Sequence, residues 1–289
     1  MALHFKTLLT RTLTAAVFVA VLLSAVNHSF FSFAALFFIV AIWGLSEFFQ
    51  IAKKLGAQPF KVGGYLSALF LLSASFVHNA GLTQLNFIWL YLAGISCFSM
   101  VFFSALFSRQ ENAVNDAAYT LSGIIYSVLP FVILLYIPCI DKNIQHSEAL
   151  QFNATYNNHI ILGLLLLIWA NDSYAYLVGS LIGKRKLLER VSPGKTWEGT
   201  IGAAILTLAS SLLVATWFPE VAKAHWMVLS LIVSVVGTLG DLSESLLKRK
   251  AGVKDSGSIM PGHGGILDRF DSLMFIAPFA LLYLSWVYA

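Results

Sequence analysis

Residues 225–271 read HWMVLSLIVSVVGTLGDLSESLLKRKAGVKDSGSIMPGHGGILDRFD. An apolar stretch runs directly into acids, bases and a glycine-rich loop, and another apolar stretch begins near residue 266. A helix that spans a bilayer needs about 20 predominantly apolar residues. Ionisable groups at membrane depth are costly and by default indicate a functional site. The segment therefore predicts two membrane helices joined by a polar site.

The composition of the whole chain supports a membrane protein. Hydrophobic residues make up 58% of the 289 residues, charged residues make up 11%, and the mean hydropathy is +0.79. A soluble domain carries about 25% charged residues, so an ordinary soluble domain is excluded. Cys97 and Cys139 lie in apolar runs, and we expect packing residues rather than a disulfide framework or a metal site. The first apolar run lacks a clear cleavage site, so we expect it to be retained.

Nine apolar stretches predict an all-α polytopic membrane protein with a single domain over residues 1–289. Their approximate ranges are 11–27, 30–50, 63–79, 86–107, 119–140, 159–182, 199–218, 225–247 and 266–288. The short segment between the first two predicts a tight helical hairpin. If the N-terminus is cytoplasmic, alternation places all eighteen Lys and Arg residues inside except Lys142 and Lys223. The positive-inside rule favours this orientation, with the C-terminus outside.

The acids of the opening segment predict a cation site. Four residues spaced i, i+3, i+4 and i+7 lie on one helix face: Asp241, Glu244, Ser245 and Lys248. Asp268 and Asp271 share a face at the start of the last span, where the helix dipole favours carboxylates. The dipole does not explain Asp241, which lies inside an apolar span. Asp241 and Asp268 could together bind a hard cation, because Mg²⁺ is typically held by one or two carboxylates plus phosphate and water.

The polar loop between these acids has the character of a phosphate site. Lys248, Arg249 and Lys254 would neutralise phosphate oxygens, and the Pro261–Gly265 turn would bring backbone N–H groups close to a substrate. His263 in this turn is either structural or a substrate contact, since histidine can donate a hydrogen bond or exchange a proton. The loop therefore favours metal and phosphate chemistry.

Three upstream features are more ambiguous. Asp172 lies roughly 16 Å along its helix from the basic loop, near the bilayer middle, and is either a structural acid or a site residue. Ser192–Thr196 offers hydroxyls and the Lys195 ammonium just before a span. This segment could be a helix cap, a topological anchor or a phosphate contact. Glu47, in the second span, is interpreted as a helix-end residue whose charge reaches the interface.

Over residues 171–271 the chain resembles the phosphatidate cytidylyltransferase (CDP-diacylglycerol synthase) family. The long family signature is matched in register by Ser245, Lys248, Arg249, Lys254, Asp255, Gly257, Pro261, His263, Gly264, Gly265, Asp268, Arg269 and Asp271. Met260 is the one departure and replaces another apolar residue. Asn171-Asp172-Ser173 and the segment from Ser192 to Gly199 also look like family motifs. A signature of this length with fixed gaps is highly specific.

The resemblance implies transfer of a cytidylyl group from CTP to phosphatidic acid, which gives CDP-diacylglycerol and pyrophosphate. It implies Mg²⁺ or Mn²⁺ as cofactor, with Asp241 and Asp268 as ligands. The implied catalytic residues are Asp241, Lys248, Asp268 and Asp271. The implied substrate-binding residues are Asp172, Ser192, Lys195, Thr196, Ser245, Arg249, Lys254, Asp255, His263, Gly264 and Gly265.

The expected partners are CTP, phosphatidic acid and the lipid bilayer, without nucleic acid, and a homodimer is left open. The expected location is a bacterial inner membrane with the site facing the cytoplasm. Three alternatives remain open. A transporter could use Asp172 and Asp241 as an ion path. Another lipid head-group enzyme is the second alternative, although the Asp-Gly-x-x-Ala-Arg motif of CDP-alcohol phosphotransferases is absent. The third is an inactive relative with an assembly role.

Overall fold

The computed structural model describes residues 5–82, 86–140, 156–259 and 264–288, with side chains from residue 12 onward. Helices account for most of these residues. They are α1 (Phe5–His28), α2 (Phe30–Lys54), α3 (Lys61–Asn79), α4 (Phe87–Leu106), α5 (Ala113–Ser127), α6 (Leu129–Leu134), α7 (Asn158–Ile182), α8 (Trp197–Trp217), α9 (Lys223–Ile232), α10 (Thr238–Lys250) and α11 (Leu267–Tyr288). A short antiparallel hairpin pairs β1 (Lys186–Leu188) with β2 (Ser192–Thr196).

Within the described residues, eight helical segments are long and apolar enough to cross a membrane. Two of them are composite. Ala113–Cys139 joins α5, α6 and a 3₁₀ turn, and Lys223–Lys250 joins α9, a π-helical turn at Val233–Gly237 and α10. The described side chains of α1 contribute a shorter apolar stretch, Thr12–His28. The all-α membrane architecture is confirmed, and the short β1–β2 hairpin is the small amount of sheet in the described residues. The count of nine spans and the orientation stay predictions.

The hairpin of α1 and α2 is as tight as predicted. Ser29 alone separates the two helices and caps α2. Its Oγ accepts a hydrogen bond from Ser32 N at 3.2 Å, and Ser32 Oγ accepts one from Ser29 N at 3.0 Å. This reciprocal pair satisfies donors that a helix start otherwise leaves unpaired.

An aromatic cluster fixes the start of α11 against the N-terminal half. The ring of Phe270 packs edge-on against Phe37 of α2 at 5.7 Å and against Phe131 of α6 at 6.0 Å. Phe33 and Phe37 pack at 4.9 Å in the same cluster. Offset and edge-to-face aromatic pairs are favourable beyond the area they bury. Because Phe270 precedes Asp271 directly, this packing sets where the acids of α11 lie.

Candidate phosphate and cation site

A close approach of α10 and α11 brings the acids together. A Cβ added to Gly240 would lie 2.9 Å from the backbone oxygen of Asp271 and 2.9 Å from the ring of Phe275, so only glycine fits. The π-helical turn ends at Gly237, just before α10. Ser272 Oγ of α11 donates a hydrogen bond to the Gly237 carbonyl at 3.2 Å. Such π turns interrupt α-helices frequently at functional sites.

Asp241 is the centre of a group of acids. It forms an ion pair with Lys195, which β2 delivers, and Ser245 Oγ donates to its Oδ1 at 3.3 Å. Asp172 of α7 and Asp271 of α11 both interact electrostatically with Asp241. Lys195 therefore has a specific partner among these acids, while Asp172 is linked to them by electrostatics alone.

Lys248 does not project into open space. It is buried, and its Nζ donates to Glu244 Oε2 at 2.7 Å and to Asp268 Oδ1 at 2.5 Å. Glu244 is fully buried, so the ammonium compensates a charge that α10 could not otherwise hold. Lys248 thus connects α10 to α11, and its expected role as a phosphate ligand stays a prediction.

Asp268 organises the loop before α11. Its Oδ2 accepts hydrogen bonds from Ser256 N at 2.9 Å, Ser256 Oγ at 3.0 Å and Gly265 N at 2.7 Å. Gly264 has φ +84°, and a Cβ there would lie 2.5 Å from Asp268 Oδ2. Glycine is therefore required at 264 both by the backbone conformation and by space. The carboxylate holds together two arms of the loop, residues 254–259 and 264–266.

Glu47 was interpreted wrongly as a helix-end residue. It is 2% exposed, and its carboxylate accepts hydrogen bonds from Ser256, Ile266 and Leu267. A single acid near a helix end carries no sequence signal of such a role, because its partners are more than two hundred residues away.

The hairpin loop is held by its own polar contacts. Thr196 Oγ1 accepts from Gly199 N at 3.1 Å, so the helix-cap interpretation is confirmed. Glu198 accepts from Lys184 N at 3.0 Å, and Lys186 Nζ donates to the Pro193 carbonyl at 2.7 Å. These contacts fix the loop that carries Lys195.

The remaining predicted residues lie at the rim. Arg249 is exposed, and its guanidinium donates to the carbonyls of Val191 at 3.4 Å and Val253 at 3.2 Å. Lys254 and Asp255 are exposed, and Ser192 is half-buried at the start of β2. Met260, Pro261, Gly262 and His263 lie outside the described residues.

Carboxylate oxygens are the ligands that Mg²⁺ prefers, so the donor chemistry fits a divalent cation. Over the described side chains, no three Asp, Glu, His or Cys residues approach closely enough to enclose a metal by themselves. One or two carboxylates suffice when phosphate and water complete the shell. Asp241, beside Asp271, fits that requirement. Asp268 fits less well, since Lys248 meets Oδ1 and two backbone N–H groups meet Oδ2, whereas among the described residues Asp241 is met only by the side chains of Lys195 and Ser245.

The described residues form a helical bundle of the membrane class, in which acids of α10 and α11 contact Lys195 and Lys248. The sequence comparisons specify the family. Residues 9–287 match the model of the cytidylyltransferase family, so the chain belongs to that family.

Curated relatives are similar over most of the chain. A phosphatidate cytidylyltransferase of Staphylococcus saprophyticus is 35% identical over 270 residues, which covers 93% of this chain and 95% of the relative. One from Bacillus subtilis is 36% identical over 220 residues, covering 71% and 78%. One from Staphylococcus aureus is 41% identical over 173 residues, covering 59% and 60%. The family resemblance seen in the motifs is therefore confirmed along nearly the whole sequence.

Proposed function

We propose that this chain is a phosphatidate cytidylyltransferase, which transfers the cytidylyl group of CTP to phosphatidic acid. The observation that carries the proposal is the family match over residues 9–287, which includes the acids and bases of the site. Two relatives whose alignments each cover 93% of this chain are named phosphatidate cytidylyltransferase. Family membership favours an enzyme over a transporter that uses Asp172 and Asp241 as an ion path.

In this reaction an oxygen of the lipid phosphate attacks the α-phosphorus of CTP. A new P–O bond forms, the bond to the β-phosphate oxygen breaks, and pyrophosphate leaves with the electron pair. The attacking phosphate is already anionic at neutral pH, so no general base is needed. Two anions must approach each other, and positioning plus charge neutralisation supply most of the catalysis in phosphoryl transfer.

The basic residues of the site are placed for that neutralisation. Lys195 is half-buried beside Asp241, and Arg249, Lys254 and Arg269 are exposed around the rim. Lys195 forms an ion pair with Asp241, so we assign it to a substrate phosphate. Lys248 holds α10 and α11 together from its buried position. In this proposal Lys248 is a structural cation, and the Lys248→Met variant tests that role against the expectation that Lys248 meets phosphate.

A divalent cation would be held by Asp241 and Asp271, with Asp172 nearby. When bound, the cation would screen the phosphate charges and polarise a phosphoryl oxygen. Asp268 would act mainly as the anchor of the loop, because its oxygens already meet Lys248, Ser256 and Gly265. Metal dependence and the choice of ligands are parts of the proposal.

An apolar groove supports a place for an acyl chain. The groove has a volume of about 810 Å³ and lies among α2, α5, α6, α10 and α11. Phe48, Phe275 and Phe279 line it, with Lys250 among the lining residues. Tyr126 lines it too, and its hydroxyl interacts electrostatically with the acids of the site, including Asp241 and Asp271. A lipid in the groove would keep its chain among apolar side chains while its phosphate reaches the cations.

The topology completes the proposal. The positive-inside bias supports an orientation with the N-terminus inside, the C-terminus outside and the site facing the cytoplasm, where CTP is available. A labelled cysteine that replaces Lys250 should react from the cytoplasm, and one that replaces Lys142 from the opposite side. The reverse labelling would contradict the orientation without affecting the reaction.

The decisive experiment is an assay of the purified chain in lipid or detergent with CTP, phosphatidic acid and Mg²⁺. We expect CDP-diacylglycerol and pyrophosphate in equal amounts, CTP to be preferred over ATP, GTP and UTP, and turnover to stop with a chelator. No product from well-folded protein would refute the function. Turnover that persists in the chelator would refute the metal assignment alone.

A further inference from the structure

Glu47 joins the second helix of the chain to the last. Its Oε1 accepts a hydrogen bond from Ile266 N at 2.9 Å, and its Oε2 accepts one from Leu267 N at 3.0 Å. Oε2 also accepts from Ser256 Oγ at 2.8 Å. The backbone N–H groups at a helix start have no partner within the helix. A side chain of α2 therefore caps α11. It also holds both described arms of the loop before α11, residues 254–259 and 264–266, which we call the signature loop.

The charge of Glu47 is balanced by backbone rather than by a cation. Among the described residues, no Lys, Arg or His forms an ion pair with it. The start of α11 supplies the positive end of a helix dipole and two aligned N–H donors, an arrangement that suits an anion. A neutral side chain at this position would lose that match even if it kept the same shape.

Ser256 couples Glu47 to the site acids. Its single hydroxyl lies 2.8 Å from Glu47 Oε2 and 3.0 Å from Asp268 Oδ2, and its backbone N–H donates to the same Asp268 oxygen. Asp268 in turn meets Lys248. The surroundings leave no room for adjustment, because a Cβ on Gly265 would overlap both Ser256 Oγ and the Glu47 carboxylate. A displacement of Glu47 is thus transmitted to the Lys248–Asp268 pair.

We propose that Glu47 is a positioning residue for cytidylyl transfer, which fixes the signature loop and the start of α11 so that the acids of α10 and α11 keep their spacing. The kinetic part of this inference rests on the proposed function. The geometric part, that Glu47 holds the loop, does not depend on turnover.

Glu47→Gln is the sharpest perturbation, because it keeps the size of the side chain. The carboxylate accepts from two backbone N–H groups and shares the single Ser256 hydroxyl proton with Asp268, but an amide has one oxygen and one NH₂ group. Whichever way the amide is turned, either Ile266 N or Leu267 N faces another donor. Outer-shell partners of metal ligands typically contribute about 10–100-fold to activity. On that scale we expect kcat at saturating CTP to fall by about 10–100-fold per folded molecule.

Asp116→Asn provides the matched control. Asp116 is also a carboxylate with 2% exposure, but it accepts from Gln58 N at 2.6 Å, within the N-terminal half. We expect this variant to keep the wild-type kcat per folded molecule even if its thermal stability falls. A merely structural role of Glu47 would make the two variants alike.

A double-mutant cycle tests the transmission through Ser256. If Glu47 acts through the loop, the kcat loss of Glu47→Gln with Ser256→Ala will be smaller than the product of the two single losses. The pair Asp116→Asn with Ser256→Ala should give the simple product. Independent effects in the first pair would contradict the proposed route.

Hydrogen exchange decides the geometric part without any turnover. In the full chain without substrate, the amides of residues 264–268 should exchange faster in Glu47→Gln than in the wild type or in Asp116→Asn. Unchanged exchange would overturn the inference. If the wild type made no CDP-diacylglycerol, the proposed function would fail, while the exchange comparison would still support or refute the positioning role.

Discussion

Lys248→Met tests whether the buried lysine is a structural cation or a phosphate ligand. Its Nζ lies 2.7 Å from Glu244 Oε2 and 2.5 Å from Asp268 Oδ1, and the side chain of Glu244 is 0% exposed. Methionine preserves much of the length and removes the charge. Glu244 would then be left as a buried carboxylate without its cation, while Asp268 would keep the backbone donors Ser256 N and Gly265 N to Oδ2.

The expected destabilisation follows from this burial. Removing one partner of a buried ion pair costs about 3–5 kcal/mol, because the other charge stays desolvated and unpaired. For chains of a few hundred residues, each kcal/mol shifts Tm by about 2–4 °C. The apparent Tm in detergent should therefore fall by roughly 6–20 °C on this scale.

Two further variants make the test specific. Lys250→Met removes the same charge from an exposed position on the same helix and should leave Tm near the wild-type value. Glu244→Gln combined with Lys248→Met removes both buried charges and should recover much of the lost stability. A lysine that only met substrate phosphate would give a different result. Lys248→Met would then keep the wild-type Tm in the absence of substrate, which would refute the structural role.

Three other substitutions address the site directly. Asp268→Asn should abolish turnover measured by CDP-diacylglycerol formation, because the amide places a donor toward Lys248 or the loop N–H groups; near-normal activity would remove Asp268 from the site. Lys195→Gln should raise KM for CTP and lower kcat/KM by about tenfold or more, as expected when a charge-assisted contact worth about 1.5–3 kcal/mol is lost, and an unchanged KM would contradict a phosphate contact. Gly264→Ala should lower both activity and Tm, because φ at Gly264 is +84° and the new Cβ would meet Asp268. Gly194→Ala should behave as the wild type, because no atom lies within 4 Å of the added Cβ. Equal effects of the two substitutions would argue against the loop geometry.

Hydropathy predicted the helical membrane fold because long apolar runs leave few other solutions in a bilayer. The β1–β2 hairpin was missed because its strands are only three and five residues long and lie in a basic loop without apolar alternation. The π-helical turn at Val233–Gly237 was also missed, since its sequence reads as an ordinary apolar span.

The sequence grouped the acids of the signature as candidate site residues, and their roles stay predictions; helical spacing did not predict which partners they contact. Helical spacing placed Glu244 and Lys248 on one face, and the structure confirms this contact. The contact of Lys248 with Asp268 joins two helices, and helical spacing alone does not specify which residues of separate helices meet. For the same reason the role of Glu47 was not predicted, since its partners lie on the last helix and in the preceding loop.

The link between Glu47 and α11 also has a consequence for biogenesis. Ser256 follows Glu47 by 209 residues, and at about 5–20 residues per second a ribosome needs roughly 10–40 s to synthesise that interval. During this time α2 carries a carboxylate whose permanent partners do not yet exist. Any chain that ends before α11 retains it unsatisfied, so a truncated product exposes a defect that quality-control proteases can act upon. Completion of the last helix therefore removes this defect as well as completing the site.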